Sequence, residues 1–142
     1  FAGAPFPPAD QSCIAEHQLT SRVHVIERAS HALLNYLYCL AHALLFPSLA
    51  EGFGWPLIEA QACGCPVIAS TTTSIPEVAG EAALFAEPHD VATFASHVRA
   101  LEDPATRARL IRQGDINLRR FDSEVISRAY STFALQPHHR PA

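Results

Sequence analysis

The sequence predicts an α/β fold, a parallel sheet with helices on both faces, and three features predict it. Segments of strand and helix character alternate along most of the chain, the strands read as near-continuous apolar runs, and the connections are short. Alternating strands and helices build parallel sheets, and a strand covered on both faces has no wet side to alternate with.

Residues 1–22 are an irregular lead-in, Pro-rich over Phe1 to Pro8 and weakly helical over Ala9 to Leu19. Val23-His24-Val25-Ile26, alternating and β-branched, is the first predicted strand. Leu33, Leu34, Leu37, Leu40, Ala41 and Leu44 recur at three- and four-residue steps, so a helix with one buried face follows, N-capped by Ser30. Leu44-Leu45-Phe46, stopped by Pro47, reads as a buried strand. A glycine-bearing loop, Ser48 to Trp55, leads into a helix that opens at Pro56 and ends at Gly64, the positions those residue types favour. Pro66-Val67-Ile68-Ala69 and Ala82 to Ala86 are the remaining strands. Asp90 caps a helix with Val91, Phe94, Val98 and Leu101 on its apolar face, and Asp103-Pro104 opens another. Asp122 or Ser123 starts a last helix carrying Val125, Ile126, Ala129, Tyr130 and Phe133, and the tail from Gln136 is expected to fray. Residues 23–135 thus form the expected domain, between the lead-in and residues 136–142.

With 142 residues, 49% of them hydrophobic, the chain is one domain long and needs neither metal nor disulfide to build a core. A formal net charge of −4 gives no basic footprint for nucleic acid or anionic membrane. Zero Met and Phe at position 1 are what a fragment of a longer protein would show. Cys13, Cys39, Cys63 and Cys65 lack metal-ligand spacing, and three lie in apolar stretches, so buried free thiols in a reducing compartment are expected. The apolar run near residues 32–49, broken by His42, is too short to span a bilayer. The expected location is the cytoplasm, with the inner face of the membrane reached only through chain outside these residues. The eight histidines show no ligand spacing, and no metal is expected.

Right-handed crossovers place the carboxyl ends of the strands along one edge, where open sheets of this kind bind ligands. The loops leaving that edge are Glu27 to Ser30, Pro47 to Trp55 and Ser70 to Glu77. In the second, Gly52 and Gly54 flank Phe53 ahead of a helix. Such glycines let backbone approach a ligand, and a helix start offers unpaired N–H groups to an anion. The loop has neither the spacing of a dinucleotide fingerprint nor a Walker lysine. Glu51 and Glu59 bracket the glycines with seven residues between them. Carboxylates repel phosphate, so near such a site they suit hydroxyl groups on either side of it. A nucleotide sugar offers that layout: sugar hydroxyls, a diphosphate, then a ribose diol.

This arrangement resembles the donor-binding half of the retaining GT-B glycosyltransferases of group 1, family four. The likeness runs from about Arg22 to Phe133 and includes Arg22-Val23-His24-Val25, the Leu-Tyr helix, Phe46-Pro47-Ser48, the two spaced glutamates, residues 62–69 and Ile75-Pro76-Glu77-Val78. The resemblance implies a Rossmann-like parallel sheet, the incomplete C-terminal half of a GT-B fold. It implies that Glu51 contacts hydroxyls of the transferred sugar without acting as a nucleophile. By the same likeness the amides of Gly52, Phe53 and Gly54, with those of Leu57 and Ile58, line the sugar and diphosphate, and Glu59 holds the ribose. The implied reaction is metal-free sugar transfer from a UDP-sugar or GDP-mannose to a glycan or lipid-linked acceptor, with retention, in polysaccharide biosynthesis. Glu27-Arg28 departs from the family, which usually has glycine there; Arg28 stands near the base and is a further donor-site candidate. The family's basic pair for the diphosphate and its acceptor-binding domain fall before residue 1. The isolated chain is therefore expected to transfer negligibly. The alternatives are a nucleotide-sugar-binding module that needs a partner chain, and an inactive fragment.

Other residues admit plainer roles. Glu59 suits the positive end of a helix. Phe53 and Trp55 suit packing on the core, Trp55 more so. The hydroxyls of Ser70 to Ser74 suit either the acceptor side of a cleft or turns and caps. Glu77 suits tying its own turn. Arg107, Arg109, Arg112, Arg119 and Arg120 suit a solvated face better than a membrane contact, since Asp103 and Asp115 are interspersed.

Overall fold

Leu44, Val67 and Ala83 stand side by side, and this register organises the sheet. The structure, a computed structural model, describes residues 1–128. Strands β1 (Leu44–Phe46), β2 (Val67–Ser70) and β3 (Ala83–Ala86) pair in parallel in the order β1-β2-β3. Successive side chains point to opposite faces of a strand. One face carries Leu44, Phe46, Val67, Ala69, Ala83 and Phe85, and these pack with α3 (Trp55–Ala62) and α4 (Ile75–Ala79) through Leu57, Ile58, Ala60, Ile75, Val78 and Ala79. The other carries Ile68, Leu84 and Ala86, packed with Phe94 of α5 (Val91–Ala100), Leu110 of α6 (Pro104–Leu118) and the intervening Leu101. Leu57, Val67, Ile68 and Ile75 are wholly buried, and removing each such side chain from water contributes about 1.5–3 kcal/mol as an upper estimate. The expected α/β class is therefore observed, and two compact units are distinguished, Phe1–Leu37 and the chain from Tyr38 onward.

Local chemistry sets the boundaries. Asp90 accepts from the Thr93 N–H and hydroxyl at 3.0 and 2.6 Å, and Asp103 from the Ala105 and Thr106 N–H groups and the Thr106 hydroxyl. Both carboxyls are held below their ordinary range, chiefly by those threonine hydroxyls. Ser30 caps α2 (His31–Leu40), accepting from the Leu33 N–H at 3.2 Å. Helix α3 ends in a Schellman turn: the Cys65 N–H reaches the Ala60 carbonyl and the Gly64 N–H that of Gln61, with Gly64 at φ +67°.

Several expectations need correction. Residues 23–26 form no strand; Ile26 makes a single parallel bridge to Ala2, exchanging backbone hydrogen bonds with Phe1 and Gly3. In the same unit, α1 spans Pro8–Glu16 and buries none of its residues. Helix α2 stops at Leu40 because Leu44 is drawn into β1, its N–H bonded to the Pro66 carbonyl. None of its residues is fully buried; Leu34, Leu37 and Tyr38 are partly covered while Tyr36 and Leu40 stand in solvent. Leu45 is 51% exposed, since β1 is the edge strand and α5 packs on β2 and β3. On α5 Val91 and Val98 are exposed, leaving Phe94, with Leu101 just past the helix, as the buried positions. Of the thiols only Cys65 is buried: Cys63 sits half covered at the end of α3, and Cys13 and Cys39 lie on exposed faces of α1 and α2. Helix α4 was expected as a turn. Asp122 opens the final helical segment, residues 123–128, in which Val125 and Ile126 are exposed. Ala129, Tyr130, Phe133 and the tail from Gln136 lie outside the described residues. Among the described residues no helix is long and apolar enough to cross a membrane.

A buried polar network locks α4 to α3 and α6. The last carbonyls of α4 have no intrahelical partner, and side chains supply one for each. Arg120 donates to Glu77 O at 3.0 Å, Asn117 to Val78 O at 2.8 Å and Gln61 to Ala79 O at 3.1 Å. Asn117 also donates to Gln61 Oε1 and accepts from Arg120, each at 2.8 Å. Gly80, at φ +58°, completes the end; a Cβ there would stand 2.7 Å from Asn117 Oδ1. Asn117→Ala strands a buried carbonyl and the Gln61 amide oxygen, so denaturant unfolding should show a loss of about 2–3 kcal/mol. A loss below about 0.5 kcal/mol, the range of an ordinary surface substitution, would contradict the network's role.

Candidate functional site

In parallel strands the chain leaves every strand at the same edge, so residues 47–54 after β1, 71–74 after β2 and Glu87 after β3 start from one side of the sheet. The first two loops are laced together by hydroxyls. Ser70, wholly buried, donates to the Ser48 carbonyl, which also accepts from Thr72 Oγ1 at 2.9 Å. Thr73 Oγ1 accepts from the Glu51 N–H at 3.0 Å. Ser74 Oγ lies 3.0 and 3.1 Å from the carbonyls of Glu51 and Phe53, donating between them. Ser48 Oγ donates to Glu51 Oε1 at 2.9 Å, and Thr71 Oγ1 to Glu87 Oε1 at 2.8 Å.

The two loop glycines differ. Gly54 is the N-cap of α3 at φ +97°, a region L-residues rarely enter, and a Cβ on it would stand 2.9 Å from Leu57 Cδ1. The fold itself requires that glycine. Gly52 is exposed, and a Cβ there would meet nothing within 4 Å. Among the described residues no contact accounts for a bare backbone at that point.

Of the other sequence candidates, Leu57 and Ile58 bury their side chains in the core and offer only backbone, and the Leu57 N–H already donates to the Gly54 carbonyl at 3.0 Å. Glu59, one turn into α3 and half-buried, accepts from the Tyr38 hydroxyl at 3.4 Å. The Tyr38 phenol is pushed up to about 12, first by burial and then by the Glu59 carboxylate. Phe53 packs against the core and meets Phe121 edge-on at 5.8 Å. Trp55, expected on the core, is instead 64% exposed and leans on Phe53 at 4.8 Å. Arg28 belongs to the first unit, at a turn with φ +51°. Glu77 contributes its carbonyl to Arg120. Two of the five arginines have inward roles, Arg120 in that network and Arg107 on the His42 carbonyl at 2.6 Å. Ser74 sits at the N-cap of α4 without capping it, because its hydroxyl is taken by the Glu51 loop. Among the described residues no group of three or more His, Cys, Asp or Glu is placed to hold a metal ion.

Sequence reasoning missed Tyr38 and the direction of the hydroxyls. Tyr38 and Glu59 are separated by 21 residues, and no local pattern announces such a pair. The density of hydroxyls from Ser70 to Ser74 was visible, but not where they point.

The family model described as "Glycosyl transferases group 1" matches residues 11–116. O-antigen chain mannosyltransferase B of Escherichia coli is 41% identical over 92 residues, covering 64% of this chain and 24% of that protein. The MMP alpha-(1->4)-mannosyltransferase of Mycolicibacterium hassiacum is 37% identical over 121 residues, covering 82% of this chain and 28% of that protein. The chain thus spans about a quarter of the length of these curated relatives. Sucrose-phosphate synthase from Thermosynechococcus elongatus superposes with a TM-score of 0.77 at 28% identity, over 93% of this chain and 36% of that one. Anabaena HepE, solved in complex with UDP-glucose, gives a TM-score of 0.76 at 20% identity over 95% and 40%, a likeness of fold.

The Tyr38 environment has a measurable consequence. Because its folded pKa is raised from 10.0 to about 12, its contribution to stability is complete below pH 10 and is lost as pH rises through about 12. Tyrosinate absorbance should show a late alkaline step that Tyr38→Phe removes. Full ionisation of every tyrosine near pH 10, with the fold intact, would contradict the contact.

Proposed function

Because the chain belongs to the group 1 glycosyl transferases, we propose that residues 48–55 and helix α3 are its donor-binding face, taking a nucleoside-diphosphate sugar for transfer with retention. The observation that carries this is Gly52: an open, bare backbone between two glutamates at the carboxyl edge of a parallel sheet. Glu51 accepts hydrogen bonds from hydroxyls of the transferred sugar. The amides of Gly52, Phe53, Gly54 and Ile58 face the sugar and diphosphate, and that of Leu57 contributes less because it is engaged with Gly54. Glu59, oriented by Tyr38, holds the ribose diol. Donor charge is met by backbone dipoles and the start of α3, so no metal is required.

The mannosyltransferase names of the relatives favour GDP-mannose, and the UDP-glucose bound to HepE favours a UDP-sugar; both belong in the test. Transfer to a glycan or lipid-linked acceptor, in the cytoplasm, is a property of the longer protein. A chain spanning about a quarter of its relatives binds donor and transfers negligibly alone.

Calorimetric titration with GDP-mannose and UDP-glucose tests this reading. Glu59→Ala should weaken binding of the preferred donor by about 1.5–3 kcal/mol, roughly ten- to a hundredfold, and weaken the matching nucleoside diphosphate equally. Gly52→Ala should leave the melting temperature unchanged and weaken donor binding. Unaltered affinity in both variants would refute the assignment.

A further inference from the structure

Glu51 is held at three points by hydroxyls: its N–H by Thr73, its carbonyl by Ser74 and its carboxylate by Ser48. Ser48 is itself fixed through its carbonyl by Ser70 and Thr72. We propose that the run Ser70, Thr72, Thr73 and Ser74 is a positioning device for Glu51, with Thr73 and Ser74 its principal members. It sets the Glu51 carboxylate against the sugar of the donor, an inference that rests on the donor-binding reading above.

Three observations carry it. The loop has little else to hold it: Leu49 is 62% exposed, Ala50 and Gly52 also face solvent, and Phe53 is the first side chain anchored on the core. Ser74 forgoes the local role open to it. Serine and threonine usually bond their own turn or cap the next helix, yet Ser74 leaves α4 uncapped and reaches back 23 and 21 residues to the two loop carbonyls. Finally, Thr73 has φ +49°. A β-branched residue in the left-handed region is a true outlier, disfavoured by its own side chain. Glycine or asparagine would relieve that strain but neither would present a hydroxyl at this point to the Glu51 N–H. Strain retained where one side-chain atom meets one backbone group identifies the contact that the conformation serves.

Orientation of Glu51 matters more for the sugar than for the nucleotide, which Glu59 and the α3 amides grip. Thr73→Val and Ser74→Ala, made in the intact chain, should therefore separate the two. Amide hydrogen exchange over residues 48–54 should accelerate about tenfold in each variant, with the melting temperature within a few degrees of wild type. Affinity for the donor sugar nucleotide, GDP-mannose or UDP-glucose, should fall about five- to tenfold while that for GDP or UDP holds. Thr73→Ser, which restores the hydroxyl, should return both readouts to wild type. Unchanged exchange in the loop would overturn the positioning role whatever binds. Equal loss for nucleotide and sugar nucleotide would overturn the role in presenting Glu51 to the sugar. Failure of the wild-type chain to bind any of these nucleotides would instead overturn the donor reading, and the sugar-directed role with it, and the exchange data would still report on the hydroxyl contacts.

Discussion

Parallel pairing of β1, β2 and β3 is the constraint on which the rest depends. It sends the chain out of every strand at one edge, so residues 47–54 and 71–74 must leave side by side. The register Leu44–Val67–Ala83 also sorts the apolar side chains into two cores, one under α3 and α4 and one under α5 and α6. With both faces covered except at the edge strand, where Leu45 is exposed, the open carboxyl edge is where polar groups gather. Ser70 marks the transition: it is the last residue of β2, wholly buried, yet its hydroxyl already belongs to the Ser48 loop.

Two polar systems take over where apolar packing stops. At the far end of α4, Gln61, Asn117 and Arg120 satisfy the carbonyls of residues 77–79. At its near end, Thr73 and Ser74 reach the backbone of Glu51 and Phe53. A five-residue helix, too short to stand alone, is thereby fixed at both ends and joins α6 to the candidate site. A satisfied buried hydrogen bond contributes only about 1 kcal/mol net, whereas a stranded partner costs about 1–3 kcal/mol. Such systems therefore act as specifiers of geometry more than as reserves of stability.

Legibility of the sequence follows the range of the interactions. The caps at Ser30, Asp90 and Asp103, the Gly64 helix end and the sheet strands from Leu44, Val67 and Ala83 were readable, because local backbone chemistry or a buried apolar run sets each. Residues 23–26 were misread because a β-branched run specifies an extended backbone but not a partner, and Ile26 forms no more than an isolated bridge. Cys39, Leu45 and Trp55 were misplaced because apolar character does not say which side of an element is covered. Within the candidate site Glu51, Glu59 and the glycines stood out by spacing. Tyr38, Asn117 and the aim of the Thr73 and Ser74 hydroxyls did not, since the partners that matter, Glu59, Gln61, Glu51 and Phe53, lie 21 or more residues away.

The central claim is that a nucleotide sugar lies across residues 51–59 at the carboxyl edge of the sheet. The most direct test is a residue-resolved amide NMR titration of the isotope-labelled chain with GDP-mannose and UDP-glucose. Saturable shifts concentrated in residues 48–59 and 70–74 are the predicted result. Shifts confined to other surfaces, such as the shallow groove formed by Pro5, Phe6, Ile14 and Val23, or no shifts with either compound, would contradict it.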